Sequence, residues 1–549
     1  MYVGDEEDFK VFLSNGEDVT DLVEFLEEDK TIATVNHGHI QAGYKESTQK
    51  VKISLPSVEP VFFTIKVIDD SDEVVLSKAD TETKKIDDVE YNIVSRQKLI
   101  DLGIIETPGT DDKSWSNAKK YIKELNIPDI FRDENNKKHK IIGIDSDVYI
   151  GLPELTKVII PDTVQFIKKK AIQWNPKLTD ISIGTGCKKI EYQVFAQNDT
   201  LKEITIPDNV ETLGDNQFMG CDLLEKVVIG SGIKEIEKGT FAQCPNLKNV
   251  SFTNNLEILG NGAFEECTGL ENITIPNSVK KIDHSCFKKC SSLKNLVIPE
   301  GVEYIGNRAF ELCTSLESII IPDSVTELGE YCFATSINLK TVTIGSGVQS
   351  LHSHTFFQDS NLETVVIGDG IEIIDQWTFG DCPNLTDVTL GKNVKEIKLE
   401  AFKGCAFTNI TLPDSLETIE KGAFYQCDNL ESINIPDSVT SMGETPGTDT
   451  TIRYGAFENC DSLRSVTIGS GLTTISRVTF QSCGNLQEVI IPNNVTTIGD
   501  YAFSGCTKLT GIQIPNTVTN IGSGAFNNIS TIYYNGTATG SPWGANEVK

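Results

Sequence analysis

From about residue 140 onward, the hydrophobic positions recur on a frame of 23 residues. Each unit reads C-x-x-L-x-x-I-x-I-P/G-x-x-V-x-x-I-x-x-x-A-F-x-x, and phenylalanine keeps its slot in fifteen successive units from Phe195 to Phe526. Weaker units carry the frame back to Tyr149 and Leu152, giving about seventeen in all. In Leu270 to Ile275, LENITI, apolar residues spaced by three and two suit a short strand that buries Leu and Ile and exposes the residues between. Pro or Gly then turns the chain, Pro by fixing φ and Gly by permitting positive φ. A second apolar segment, V-x-x-I, and a tight A-F turn complete the unit. One unit cannot bury its Phe, Leu and Ile alone, so units stacked in register at ~4.8 Å per strand are required. The pattern predicts a mainly β solenoid of about 17 rungs with a parallel sheet.

The same frame disposes of an apparent metal or redox motif, the CFKKC run from Cys286 to Cys290. Cys221, Cys244, Cys267, Cys290 and Cys313 lie 23 residues apart, and the series resumes through Cys382, Cys405, Cys427, Cys460, Cys483 and Cys506. Asn175, Asn198, Ser336 and Asp359 occupy the same slot in other units. A metal ligand would not tolerate that exchange. A small side chain that hydrogen-bonds loop backbone would, so the slot is structural. Cys286 and Cys332 stand where other units have Ala263, Ala309 or Ala401, and read as small core residues. Stacked thiols with parallel Cβ vectors would need backbone movement to form a disulfide.

Run together, these features have a family likeness. The stretch IPDSVTELGEYCFATSINLKTVTI, Ile321 to Ile344, resembles the BspA-like leucine-rich repeat family, and the resemblance covers residues 140–534. It implies a curved solenoid with a parallel sheet on its concave side, surface and adhesion roles, and no catalytic residues. Two departures interrupt the pattern, a unit one residue short at Cys405 and a ten-residue insertion at 444–453. Upstream, residues 1–70 hold alternating runs such as FKVFL, TIATV and FFTIKVI, as expected of a small antiparallel sandwich. Ala33, Val35, Gly38, Ile40 and Ala42 resemble the core motif of bacterial immunoglobulin-like domains of group 2, which implies a spacer or attachment module. Between the two, residues 71–139 read as a linker and cap with two short helices, SRQKLIDLG and SWSNAKKYIKEL, the second capped by Ser114 or Ser116. Residues 535–549 read as a C-terminal tail.

Charge and chemistry narrow the function. A net charge of -31 and a pI near 4.6 disfavour nucleic acid as a partner. The opening MYVGDEEDFK has neither a basic n-region nor an apolar h-region, and no apolar run is long enough to span a membrane. Six histidines, no HExxH, no phosphate loop and no nucleophile elbow argue against an enzyme, and no cofactor or metal is expected. His352 and His354 form an H-x-H near Asp375, but the frame supplies no third ligand.

What remains is binding. The residue after the strand Leu alternates Lys202, Glu225, Lys248, Glu271, Lys294, Glu317, Lys340 and Glu363, predicting an ion-pair ladder. The exposed middle slot of the strand, with Thr274, Val297, Ile320, Thr343 and Val366, predicts a flat face suited to broad protein or glycan contact. The slot two residues before Phe is Gly, Ser or Asn in many units, yet Arg308, Tyr331, His354 and Trp377 fill it in four consecutive rungs. Stacked, they would form an aromatic and cationic strip that meets sugars through ring faces. The hexapeptide Glu444, Thr445, Pro446, Gly447, Thr448, Asp449 lies in the insertion on the same edge, repeats Glu106 to Asp111, and joins the strip as a candidate contact. The expected role is an adhesin-like surface protein, extracellular or on a cell surface, binding a protein or glycan on a host or neighbouring cell. The alternative is a bacteriophage virion surface protein presenting the same solenoid.

Overall fold

The computed structural model describes residues 122–132, 138–443 and 454–549, together with nine strands between Glu6 and Asn92. The chain divides into two compact units, Met1–Asp222 and Leu223–Lys549.

In the first unit, short strands pair in parallel and advance by one repeat at a time. Glu124–Asn126, Lys157–Ile160 and Asp180–Ile183 form one column. Lys138–Ile144, Phe166–Ile167, Lys189–Ile190 and Thr212–Leu213 form a second. The register sets Ile167 beside Ile190 and Ile190 beside Leu213, so each apolar slot lands on its own kind. Ser71–Leu76 extends the second column upstream, parallel to Lys138–Ile144. The helix expected over SWSNAKKYIKEL is contradicted at its C-terminal end, because Glu124–Asn126 is a strand. Leu125 is buried between exposed neighbours, and pairing with Lys157–Ile160 outweighs the local helical pattern. The other expected helix, SRQKLIDLG, lies outside the described residues. Nearer the N-terminus, Ser47–Ser54 pairs antiparallel with Glu24–Glu27 and Val61–Val67, and His39–Ala42 with Glu6–Asp8 and Ala33–Asn36. The side-chain packing that would define an immunoglobulin-like sandwich there lies outside the described residues.

The second unit repeats one rung throughout. Ser318–Ile321, Thr341–Ile344, Thr364–Ile367 and Asp387–Thr389 pair in parallel, with alternating exposed and buried side chains in the first two strands. Two-residue strands such as Lys281–Ile282 and Tyr304–Ile305 form the second column. Twelve consecutive ring pairs stack from Phe241 to Phe526, with centroids 5.0 to 5.8 Å apart. The rings of that column are fully buried, and truncating one would cost about 3–5 kcal/mol. Both departures from the repeat leave this column in step. In the short unit, Phe407 is buried in place of the usual Leu and meets Phe402 and Phe424 edge-on. Across the insertion, Phe424 and Phe457 still stack at 5.0 Å and 1°.

Corner glycines prove to serve a purpose other than positive φ. Gly345 and Gly347 have ordinary backbone angles, but a Cβ on Gly347 would lie 2.0 Å from the Asp323 carbonyl of the preceding rung. Close approach of successive rungs is what demands glycine there. The residues expected as a tail fold onto the last rung: Trp543 is buried against Tyr534, and Glu547–Val548 pairs with Thr531–Tyr533. No helix among the described residues is long and apolar enough to cross a membrane.

Candidate functional site

All fourteen cysteines are buried and free. In most rungs the thiol donates to the carbonyl of the phenylalanine 26 residues earlier, as Cys267 does to Phe241 at 3.1 Å and Cys290 to Phe264 at 3.2 Å. Asn198 and Ser336 make the same bond, to Ile172 and Phe310. Burial pushes the Cys267 thiol up to about 12, so that sulfur stays protonated at neutral pH. Asp359 fits the slot differently. Its Oδ1 accepts from Ser336 N at 2.7 Å, while Oδ2 is buried without a partner, and burial raises its pKa well above the carboxylate range.

The A-F turn positions the strip. Within one turn, Glu265 and Cys267 donate three residues back, whereas Phe264 and Glu266 donate to Cys286 and Lys288 of the next rung. This alternation puts two residues per turn in the left-handed region, one two places before Phe and one two places after. Gly262 and Glu266 are an example, at φ 61° and 64°. The preference for Gly, Ser or Asn in the earlier slot follows, since a side chain there costs about 1–2 kcal/mol. Arg308, Tyr331, His354, Trp377 and Glu400 all occupy that slot at φ between 52° and 60°.

Those side chains stack along the edge. The Arg308 guanidinium lies 4.4 Å over Tyr331, whose ring is 4.4 Å from His354 at 12°. His354 lies 6.0 Å from Trp377 at 11°. The stack then continues beyond the four residues expected: Lys403 Nζ is 4.3 Å over the indole and 6.0 Å from the Tyr425 ring, and Tyr425 stacks on Tyr454 at 4.3 Å. Glu311 holds Arg308 at 2.7 Å, and the buried Glu400 holds Lys403 at 3.2 Å. Lys403 and Tyr425 sit one residue after Phe, which is three after the left-handed slot and on the same side of the turn. That spacing could have revealed them. In the same later slot Gly380 makes room for Trp377, since a Cβ there would lie 2.7 Å from the indole.

One expectation about this strip is corrected. Both faces of Tyr331 and Trp377 are covered, by Arg308 and His354 and by His354 and Lys403 respectively, so ring edges are what these residues offer. His354 also lies beside the Ser353 hydroxyl, and burial holds its pKa below the usual histidine value. Among the described residues no group of three or more His, Cys, Asp or Glu is placed to hold a metal ion. Glu444 to Asp449 and Glu106 to Asp111 lie outside the described residues.

The strand side is different. Val297 and Ile320 are 76% and 68% exposed on adjacent rungs. Beside them the charge ladder closes in part, as exposed pairs Glu271–Lys294 at 3.7 Å and Glu317–Lys340 at 3.9 Å. A second ladder, along the V-x-x-I segment, was not anticipated: Lys234–Glu257 at 3.4 Å, Lys280–Glu303 at 3.6 Å and Glu372–Lys395 at 2.9 Å.

The model of the BspA type leucine rich repeat region matches residues 133–248, 234–362, 350–446 and 444–539, well over half of the chain. A leucine-rich repeat protein from Bacteroides ovatus is similar at 26% identity over 76% of this chain and 98% of its own, with a TM-score of 0.52. A leucine rich cell surface protein from Faecalibacterium prausnitzii matches at 24% identity over 75% of this chain and 88% of its own, with a TM-score of 0.33. The pneumococcal vaccine antigen PcpA matches at 18% identity over 78% and 88%, with a TM-score of 0.31. No curated protein matches the chain.

Proposed function

The chain belongs to the BspA type leucine rich repeat family, and from that premise we propose that it is a non-catalytic, adhesin-like surface protein that binds a protein on a host or neighbouring cell through its strand side. The observation that carries this reading is the exposed β-branched column at Val297 and Ile320, flanked by polar columns. Isolated exposed apolar residues are ordinary, but two large aliphatics at the same slot of adjacent rungs offer the dry centre that a protein contact needs. The paired charges beside them supply a polar rim.

The test is binding of the purified full chain to panels of host and bacterial cells by flow cytometry, beside the double variant Val297→Lys, Ile320→Glu. The variant should fold as the parent does and bind about tenfold or more weakly, since a charge at the centre of a dry contact costs more than 1.4 kcal/mol. Protease treatment of the target cells should abolish binding. Equal binding by the folded variant, or binding that survives protease, would sink the reading.

A further inference from the structure

We infer that the turn edge from Arg308 to Tyr454 is a second binding site, separate from the strand side, and that it takes an extended, uncharged polysaccharide. The first argument is backbone cost. The slot two before Phe is Gly239, Gly262 and Ser285 before the strip and Gly422 after it, all left-handed. Replacing such residues by Arg, Tyr, His and Trp on four successive rungs imposes about 1–2 kcal/mol of strain at each. Gln193, Glu400, Val478 and Tyr501 are further exceptions. Ring stacking returns about 0.5–1.5 kcal/mol per pair and so roughly balances the strain. The fold gains little from the strip.

The second argument is step length. Successive rungs of the phenylalanine column lie 5.0 to 5.8 Å apart, and the strip follows the same rungs with its own rings 4.4 and 6.0 Å apart. An extended pyranose chain advances by about one rung per sugar, so each sugar meets the side chains of one rung. An extended peptide advances ~3.3 Å per residue, so it meets the rungs in phase only at every second one.

Charge and chemistry supply the third. Arg308 and Lys403 are each neutralised by an adjacent carboxylate, Glu311 and Glu400. The strip is therefore close to neutral on a chain of net charge -31, which disfavours a polyanion. Because ring faces are covered, the groups on offer at successive rungs are phenol hydroxyl, imidazole, indole N–H and ammonium. These are partners for sugar hydroxyls. Phe357, edge-on to His354 at 5.1 Å and to Trp377 at 5.5 Å, adds an apolar surface at the centre.

Affinity electrophoresis of the full chain through gels containing hydroxyethylcellulose, mixed-linkage β-glucan or galactomannan tests the proposal, with polyglutamate as the acidic-peptide arm. At least one neutral polysaccharide should retard the parent. Trp377→Ala with Tyr331→Ala should weaken that retardation about tenfold or more, whereas Val297→Lys with Ile320→Glu should leave it unchanged. Trp377→Phe with Tyr331→Phe keeps the rings and guards against a folding artefact; it should lose part of the retardation because the edge donors are gone. No retardation by any neutral polysaccharide, retardation by polyglutamate alone, or equal retardation of the folded alanine double variant would each overturn the proposal. Loss in the strand-side variant alone would move the sugar site to the strand side and overturn it as well.

Discussion

The strand side and the turn edge of the second unit are built by the same 23-residue frame, yet they constrain their exposed residues in opposite ways. On the strand side, Ile320, Thr343 and Val366 project from regular extended backbone, where the fold favours β-branched side chains, and Val297 holds the same slot one rung earlier. A valine there satisfies the fold and carries little information about function. On the turn edge the backbone is left-handed and favours glycine, so Trp377 or Tyr331 is a departure that the fold alone does not ask for. A bulky side chain therefore means different things on the two sides.

The largest expected effect abolishes the distinction. Phe356→Ala removes one fully buried ring from the middle of the stacked column and should cost about 3–5 kcal/mol. Chemical denaturation should show a lower midpoint, with both binding surfaces lost together. A loss confined to one surface would mean that the two sides do not share this column.

Asp359 comes next, because it is a slot where the frame and the residue disagree. Asn at this position could both accept from Ser336 N and donate to carbonyl, as Asn198 does, so Asp359→Asn should stabilise by about 1–3 kcal/mol at neutral pH. The sign with pH follows from burial. The folded carboxyl holds its proton above the ordinary aspartate range, so the folded state binds more protons than the unfolded one. Its stability contribution is present at low pH and falls as pH rises from the ordinary value through the raised one. Thermal melts should show this decline in the parent and a flatter profile in the variant; a variant less stable than the parent at pH 7 would count against the neutral acid.

Glycine scanning sharpens the contrast itself. At Tyr331 the glycine variant should be about 1 kcal/mol more stable than the alanine variant, because alanine keeps the left-handed strain. At Ile320, inside the strand Ser318–Ile321, the order should reverse by about 0.5–1 kcal/mol, as glycine weakens a strand. The same order at both sites would remove the basis for reading the turn edge as strained.

The smallest effect belongs to the charge ladder. Lys340→Gln breaks an exposed pair with Glu317 and should cost less than about 1 kcal/mol, and less again in high salt. A larger, salt-insensitive loss would show that the ladder does more than decorate the sheet.

Periodicity made the solenoid legible, because every rung meets a copy of itself and burial follows the repeat. The cysteine slot was legible for the same reason: its exchange with Asn and Ser announced the bond to a carbonyl before any coordinates. The four-residue strip was legible as an interruption of a Gly, Ser and Asn column. Its continuation was not read, although the slot one after Phe, which holds Lys403 and Tyr425, lies on the same side of the turn; Tyr454, three before Phe457, meets the stack only through the geometry of the turn. The reason for glycine at the corners was also hidden, because it depends on how closely the preceding rung approaches Gly347 rather than on the residue's own φ. Glu124–Asn126 was misread because its pairing partner begins 33 residues away, at Lys157.

The most direct test of the central claim, that the fold does not need the strip and binding does, is a simultaneous change of Arg308, Tyr331, His354 and Trp377 to glycine. Denaturation midpoint and polysaccharide retardation should be measured on the same preparation. Relief of left-handed strain should offset most of the lost stacking, leaving stability within about 2 kcal/mol of the parent, while retardation disappears. A folded quadruple variant that is retarded as the parent is, or one that unfolds for want of the stack, would contradict the account.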